Sequence, residues 1–122
     1  MRLMTLVLTA ALLWPVSVSS QEQTQGLFFE SGNDLFLLCT EGSGFATSFC
    51  DGYVTGVADS VQLLTDRGAV KVACLQQHVD GDQVKDIVMQ YLTAHPEQQH
   101  LGAAGLVFTA LEAAFPCKEQ AH

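Results

Sequence analysis

Four cysteines, Cys39, Cys50, Cys74 and Cys117, are the side chains best equipped for covalent chemistry in this 122-residue chain. Thiols so placed have three uses: a structural zinc site, a nucleophile, or disulfides. The cysteines stand 11, 24 and 43 positions apart. No C-x-x-C pair is present, and closed zinc sites are commonly built from such pairs. An even count in a short exported chain reads as two disulfides. With all four paired, no thiol is left for nucleophilic work.

The remaining candidates for chemistry do not converge. His95 and His100 are five apart across a helix start, so they do not share a face as an i, i+4 metal pair does. His78 falls in a connector and His122 is the last residue. His95 is expected to hydrogen-bond near a helix end, and His100 to lie on the surface. No serine sits in a nucleophile elbow. Asp51, Asp59 and Asp66 are spread along one helical segment. Asp51 is placed in the first turn, where the helix dipole favours a carboxylate. Asp59 stands among apolar neighbours, and if buried there it needs a hydrogen-bond donor. Its expected role is a structural hydrogen bond from a tyrosine hydroxyl or a backbone amide. The chain reads as a non-enzyme with no metal and no cofactor.

The cysteines read as disulfides because the chain carries an export signal. Arg2 is a positive start, Leu3 to Val16 is mostly apolar, and Val18-Ser19-Ser20 offers small residues for cleavage before Gln21. The apolar run is shorter than the roughly 20 residues of a membrane span. Residues 1–20 are therefore assigned as a cleaved signal peptide, 21–27 as a flexible N-terminal arm and 28–118 as one domain. The chain is expected to be exported, with no membrane contact after cleavage. Past residue 20, four Lys and Arg face thirteen Asp and Glu, a formal charge of −9. Such a surface argues against nucleic acid and anionic lipid and suits a basic protein partner.

Helices must position these groups. Ser31 with Asp34 and Asp80 with Gln83 repeat the spacing of a capping box. The first opens a helix over Gly32–Thr40, followed by a Glu41-Gly42-Ser43-Gly44 loop. A second helix runs from about Thr47 to Asp66, with Phe49, Tyr53, Val57, Val61 and Leu64 as its stripe, widened by Val54 and Ala58. Gly68 is its stop, with Arg67 in the last turn. Gly52 and Gly56 stand four apart on one face of it, where they allow a close neighbour. Residues 69–79 form a connector around Cys74. Val84, Ile87, Val88, Tyr91 and Leu92 mark the third helix, and His95-Pro96 ends it and opens the fourth. Leu101, Ala104, Phe108, Leu111 and Phe115 mark the fourth, which Pro116 stops. No segment alternates as a strand does.

Four helices joined by short connectors favour antiparallel neighbours. The second helix is about 30 Å long at 1.5 Å per residue. Cys50 near its start and Cys74 beyond its end are thus held apart. Cys39 and Cys50 fall at one end of the bundle, Cys74 and Cys117 at the other. The expected pairing is Cys39–Cys50 and Cys74–Cys117. The expected fold is all-α, a small bundle of about four helices stapled by two disulfides.

Five strings recur in a known order: Ser31-Gly32-Asn33-Asp34-Leu35 with Cys39; Phe49-Cys50-Asp51-Gly52-Tyr53-Val54-Thr55-Gly56-Val57-Ala58-Asp59; Cys74-Leu75; Tyr91-Leu92-Thr93-Ala94-His95-Pro96-Glu97; and Leu111-Glu112-Ala113-Ala114-Phe115-Pro116-Cys117. Over residues 28–117 the chain resembles the Rap/Tai-type immunity proteins. These are small periplasmic helical proteins that guard bacteria against peptidoglycan amidases delivered by type VI secretion. The resemblance implies a non-enzymatic inhibitor, commonly a homodimer, that occludes the active site of a cognate amidase effector. It carries over the four cysteines as structural, Gly52 and Gly56 as close-packing positions, and His95-Pro96-Glu97 as the turn between the last helices. The chain departs from the family pattern after Cys74-Leu75, where Gln76 and His78 stand in place of the usual proline and glycine.

Contact residues are not carried over, because immunity surfaces vary with their toxins. The connectors 41–46 and 75–80 are the expected contact surfaces, with Glu41, Gln76, Gln77, His78 and Asp80 as partner-binding residues. An acidic bundle docking on a basic toxin gains encounter rate from charge complementarity. The alternative is a periplasmic helical stress protein or chaperone, binding many clients through exposed apolar surface.

Overall fold

The computed structural model describes residues 30–118. The leader at 1–20 and the arm at 21–27 lie outside these residues. The elements are α1 (Gly32–Glu41), α2 (Gly44–Asp66), α3 (Gly81–Ala94), a single 3-10 turn (Pro96–Gln98) and α4 (Ala103–Ala114). No strand occurs among the described residues; an isolated bridge joins Ser31 to Gly102. Helix α2 packs against the other three, and α3 also packs on α4. The architecture is the expected all-α bundle.

Both disulfides form as expected. Cys39–Cys50 joins α1 to α2, with Cα atoms 5.1 Å apart. Cys74–Cys117 joins the α2–α3 connector to the end of α4, with Cα atoms 4.9 Å apart.

Both capping boxes form. Ser31 Oγ accepts from Asp34 N at 3.2 Å, and Asp34 Oδ2 accepts from Ser31 N at 3.1 Å and Ser31 Oγ at 2.6 Å. These bonds hold the Asp34 carboxyl below its ordinary 3.8. A carboxylate whose folded pKa is depressed adds stability above its unfolded pKa and loses it as pH falls through the folded one. The urea midpoint of the parent is therefore expected to fall more steeply than that of Asp34→Asn below about pH 4. Parallel slopes would exclude this contribution. Asp80 Oδ1 accepts from Gln83 N at 2.9 Å and Gln83 Oε1 accepts from Asp80 N at 3.1 Å, which starts α3.

Three boundaries differ from expectation. First, α1 continues through Glu41 and α2 begins at Gly44. The loop shrinks to Gly42, left-handed at φ 80°, and Ser43, whose Oγ accepts from Ala46 N at 3.2 Å. Second, Asp51 is consequently two turns inside α2 rather than in its first turn. It binds Lys85 Nζ at 2.7 Å, tying α2 to α3 and holding the Lys85 ammonium above its ordinary range. Third, Pro96 opens only the 3-10 turn. Residues 99–102 leave the helical path to clasp α1. Gly32 N donates to Leu101 O at 2.8 Å and Asn33 N to Gln99 O at 2.7 Å, so two orphan amides at the start of α1 are satisfied. Ala103 N returns a bond to Glu30 O at 2.9 Å. Leu101, expected on the apolar stripe, is 45 % exposed as a result.

The core holds Leu35 from α1, Val54 and Val61 from α2, Val88 and Leu92 from α3, and Val107 and Leu111 from α4, each at most 1 % exposed. The buried line of α2 is Ala46, Cys50, Val54, Ala58 and Val61. Phe49, Tyr53 and Val57 only flank it, and Leu64 is exposed. Burial pushes the Tyr53 hydroxyl above its ordinary 10.0, and the Glu30 carboxylate adds to the shift. Asp59 is exposed, so its carboxylate needs no buried donor. Gly52 and Gly56 are also exposed, and a Cβ at either would meet nothing within 4 Å. They are not close-packing positions within the chain. Gly56→Ala is therefore expected to raise the unfolding free energy by about 1 kcal/mol through helix propensity alone. Calorimetry at dilutions where the protein is monomeric would show a lower melting temperature instead if another part of the same chain packed on the glycine face.

Candidate functional site

The connector between α2 and α3 is a ridge held at its base and free at its crest. At the base, Ala73 is fully buried and its carbonyl accepts from Thr65 Oγ1 at 3.2 Å. Cys74 N donates to Phe115 O at 2.8 Å beside the Cys74–Cys117 bond. Leu75 and Val79 pack against the core from either side of the crest. Val79 N donates to Gln76 O at 3.1 Å and closes the turn. Gln76, Gln77 and His78 are left exposed at the crest.

A cleft lies on each side of this ridge. One, of about 420 Å³, separates it from α2 and is lined by Asp59, Gln62, Asp66, Gln76 and Gln77, with Val79 beneath. The other, of about 450 Å³, runs between the ridge, α3 and the end of α4, lined by His78, Gln83, Asp86, Ile87 and Phe115. Gln76 and Val79 belong to both. A third hollow of about 410 Å³ continues along α3 from Asp86 past Met89 to Thr93. This hollow shares Asp86 with the second cleft. Among the described residues Asp59, Asp66 and Asp86 line these hollows, and no lysine or arginine does.

The five expected partner-binding residues are divided by this arrangement. Gln76, Gln77 and His78 sit together on the ridge. Asp80 follows them, but its carboxylate is occupied as the cap of α3. Glu41 ends α1, next to the other disulfide, away from the ridge in the fold. The stretch 44–46 is helix, and Ala46 is fully buried.

Two glutamines escaped the sequence reading. Gln99 is the one buried polar residue among those described; its Nε2 donates to Leu92 O at 2.8 Å and ties the clasp to α3. Gln62 Nε2 donates to Asp66 Oδ1 at 2.6 Å, while Gln62 Oε1 is buried with no donor. Gln99 has no local signal, since its role depends on where α3 passes, whereas the Gln62–Asp66 bond is an i, i+4 helix pair that spacing alone could have suggested. His95 and His100 stand as expected. His95 Nδ1 donates to Tyr91 O at 2.9 Å and its ring stacks on Tyr91 at 4.2 Å, and His100 is exposed. Among the described residues no three His, Cys, Asp or Glu side chains gather as metal ligands, no cysteine is free, and no helix is long and apolar enough to cross a membrane. The ridge and its clefts offer hydrogen-bond acceptors and negative charge to a partner.

No curated protein and no solved structure matches the chain. The model of one protein family, described as Rap1a immunity proteins, matches residues 31–117, from the capping serine of α1 to the last disulfide cysteine. A match over that span, on a four-helix bundle with both disulfides in place, shows that the chain belongs to the Rap1a immunity protein family.

Proposed function

We propose that this chain is a periplasmic immunity protein that binds a cognate peptidoglycan amidase, delivered by type VI secretion, and occludes its active site without catalysis of its own. The observation that carries the reading is the family match over residues 31–117. Two disulfides accord with an oxidising compartment. Export is part of the proposal: the protein in the periplasmic fraction begins at Gln21, and intact mass measures this. Gln76, Gln77 and His78 form the proposed contact, with Glu41 and Asp80 outside its centre.

The same reading includes a homodimer, formed through the outer face of α2. Phe45, Phe49, Gly52, Gly56 and Leu63 share that face at 3.6 residues per turn. Apart from Asp59 at its edge, the face between Phe45 and Leu63 carries no charge, in a chain whose charge of −8 otherwise opposes self-association. Phe45 is 76 % exposed and Leu63 51 %. Light scattering is expected to give a dimer for the parent and a monomer for Gly56→Arg, with unchanged helicity. A monomeric parent removes this part of the proposal.

The deciding experiment is affinity capture from the lysate of the protein's own bacterium under secretion-inducing conditions. One stoichiometric peptidoglycan hydrolase is expected, whose activity the protein then titrates to zero at a fixed ratio. A spread of unrelated envelope proteins, with no hydrolase inhibited, would replace this reading by the chaperone one.

A further inference from the structure

The two disulfides differ in how an attacking thiolate can reach them. Cys50 is 1 % exposed and belongs to the core, and Cys39 packs against that core. Cys74 is exposed, Cys117 is half-buried, and both lie outside the core cluster. In thiol–disulfide exchange a thiolate attacks one sulfur while the other leaves as a thiolate. At Cys39–Cys50, burial closes the approach to Cys50. Attack on Cys39 would expel a thiolate into apolar surroundings, where a bare charge is costly. At Cys74–Cys117, the exposed Cys74 can be attacked, and the half-buried Cys117 leaves toward solvent. The next residue, Lys118, is exposed, and a neighbouring cation favours a thiolate. This bond also ties the ridge to the end of α4. Beside it the base is held chiefly by Thr65 Oγ1 to Ala73 O and Cys74 N to Phe115 O.

We propose that Cys74–Cys117 is a thiol–disulfide exchange site, opened by a dithiol in the folded protein while Cys39–Cys50 stays closed. One thiolate of the dithiol attacks Cys74 Sγ. A mixed disulfide forms, the Cys74–Cys117 bond breaks, and Cys117 leaves as a thiolate that takes a proton from water. The second thiolate of the reagent then attacks the reagent sulfur bonded to Cys74 and releases Cys74, which is protonated in turn. The protein gains two electrons and ends with two thiols, and the dithiol ends as a disulfide. Reduction frees the base of the ridge. The helices keep their shared core, to which neither sulfur contributes, and keep the Cys39–Cys50 staple. This chemistry stands apart from the immunity reading, but its effect on docking rests on that reading. Gln76, Gln77 and His78 are the proposed contact, and a loosened ridge must be ordered again on binding, which weakens affinity.

The test treats the exported protein with dithiothreitol in the absence of denaturant. Thiols are trapped by alkylation at timed intervals and located by peptide mapping. A two-thiol species alkylated at Cys74 and Cys117 is expected to accumulate first. Cys39–Cys50 is expected to open about tenfold more slowly, since access and the leaving thiolate both set exchange rates. With glutathione, a monothiol, the mixed disulfide is expected on Cys74 and the alkyl group on Cys117. The two-thiol form is expected to keep its helical circular dichroism while the amides of residues 74–79 exchange faster. Four thiols appearing together, or helix lost with the first bond, would mean that reduction follows global unfolding, and would overturn the inference. Cys39–Cys50 opening first, or glutathione found on Cys117, would overturn it as well. Against the captured hydrolase, the two-thiol form is expected to inhibit about tenfold more weakly and to recover on reoxidation. Equal inhibition by the two forms removes the link to docking and leaves the immunity reading standing. If the oxidised parent inhibits no hydrolase, that reading falls, and the mapping alone decides the exchange site.

Discussion

Replacing Cys74 and Cys117 together by serine is expected to lower the unfolding free energy by about 4 kcal/mol, the chain-entropy value for a loop of this size. The bond spans 43 residues and encloses all of α3 and α4. Total stability of a domain this size is about 5–15 kcal/mol, so the loss is a large fraction of it. The effect is also local. Other backbone ties at the base of the ridge are few, chiefly Thr65 Oγ1 to Ala73 O and Cys74 N to Phe115 O. The second of these depends on the same junction. Amides of residues 74–79 should therefore exchange faster in the variant, while α1 and the first half of α2 keep their protection. Alanine at Cys39 and Cys50 removes a shorter loop, worth about 3 kcal/mol by the same estimate, and leaves the ridge tethered. Urea unfolding with exchange mass spectrometry separates the two. Equal loss of protection at the ridge in both variants would show that Cys74–Cys117 does not hold it.

Much of this architecture is legible in the residues, and the remainder is not, for one physical reason. Features set by neighbours three or four positions apart can be read directly. Ser31 with Asp34 and Asp80 with Gln83 start helices where their spacing says they do. Disulfide pairing follows once helix ends are ordered along the bundle. Features set by another element passing nearby cannot be read. The stripe on α2 is wide enough to be centred on Tyr53 or on Val54, and only contact with three helices selects Val54. Asp59 has apolar sequence neighbours, yet it lies on the outer side of the helix. Gly42-Ser43-Gly44 reads as loop by composition, although Ser43 is a cap and Gly44 is helical. The exposed ridge residues Gln76, Gln77 and His78 were legible from polarity alone. The clefts on either side were not, because they exist only where α2, α3 and α4 meet the ridge.

Gly32→Ala is expected to destabilise the fold by about 1–3 kcal/mol, the usual range for overpacking a closed core, even though alanine is the better helix former. Gly32 is buried in the first turn of α1. A Cβ built there runs into Leu106 Cδ1 from α4 and stands 2.9 Å from Gln99 O and 3.0 Å from Gln99 Cα. The leucine tip can swing aside, but the Gln99 backbone cannot. Its carbonyl accepts from Asn33 N, and its side chain donates to Leu92 O. Room for one methyl therefore has to come from parting the clasp of residues 99–102 from α1. That parting strains Asn33 N to Gln99 O and Gly32 N to Leu101 O, and beyond them the contact between α1 and α3 that Gln99 maintains. Gly56→Ala is the control, since it makes the same change in a helix with open space around it and is expected to stabilise. Opposite signs for the two variants in parallel urea titrations of dilute, monomeric protein would assign the cost to the clasp. The same sign for both would mean that helix propensity governs Gly32 and that the clasp yields freely. The asymmetry gives Gly32 a reason to sit between the capping Ser31 and Asn33: α1 and the α3–α4 connector meet through backbone there, and only a residue without a side chain lets them.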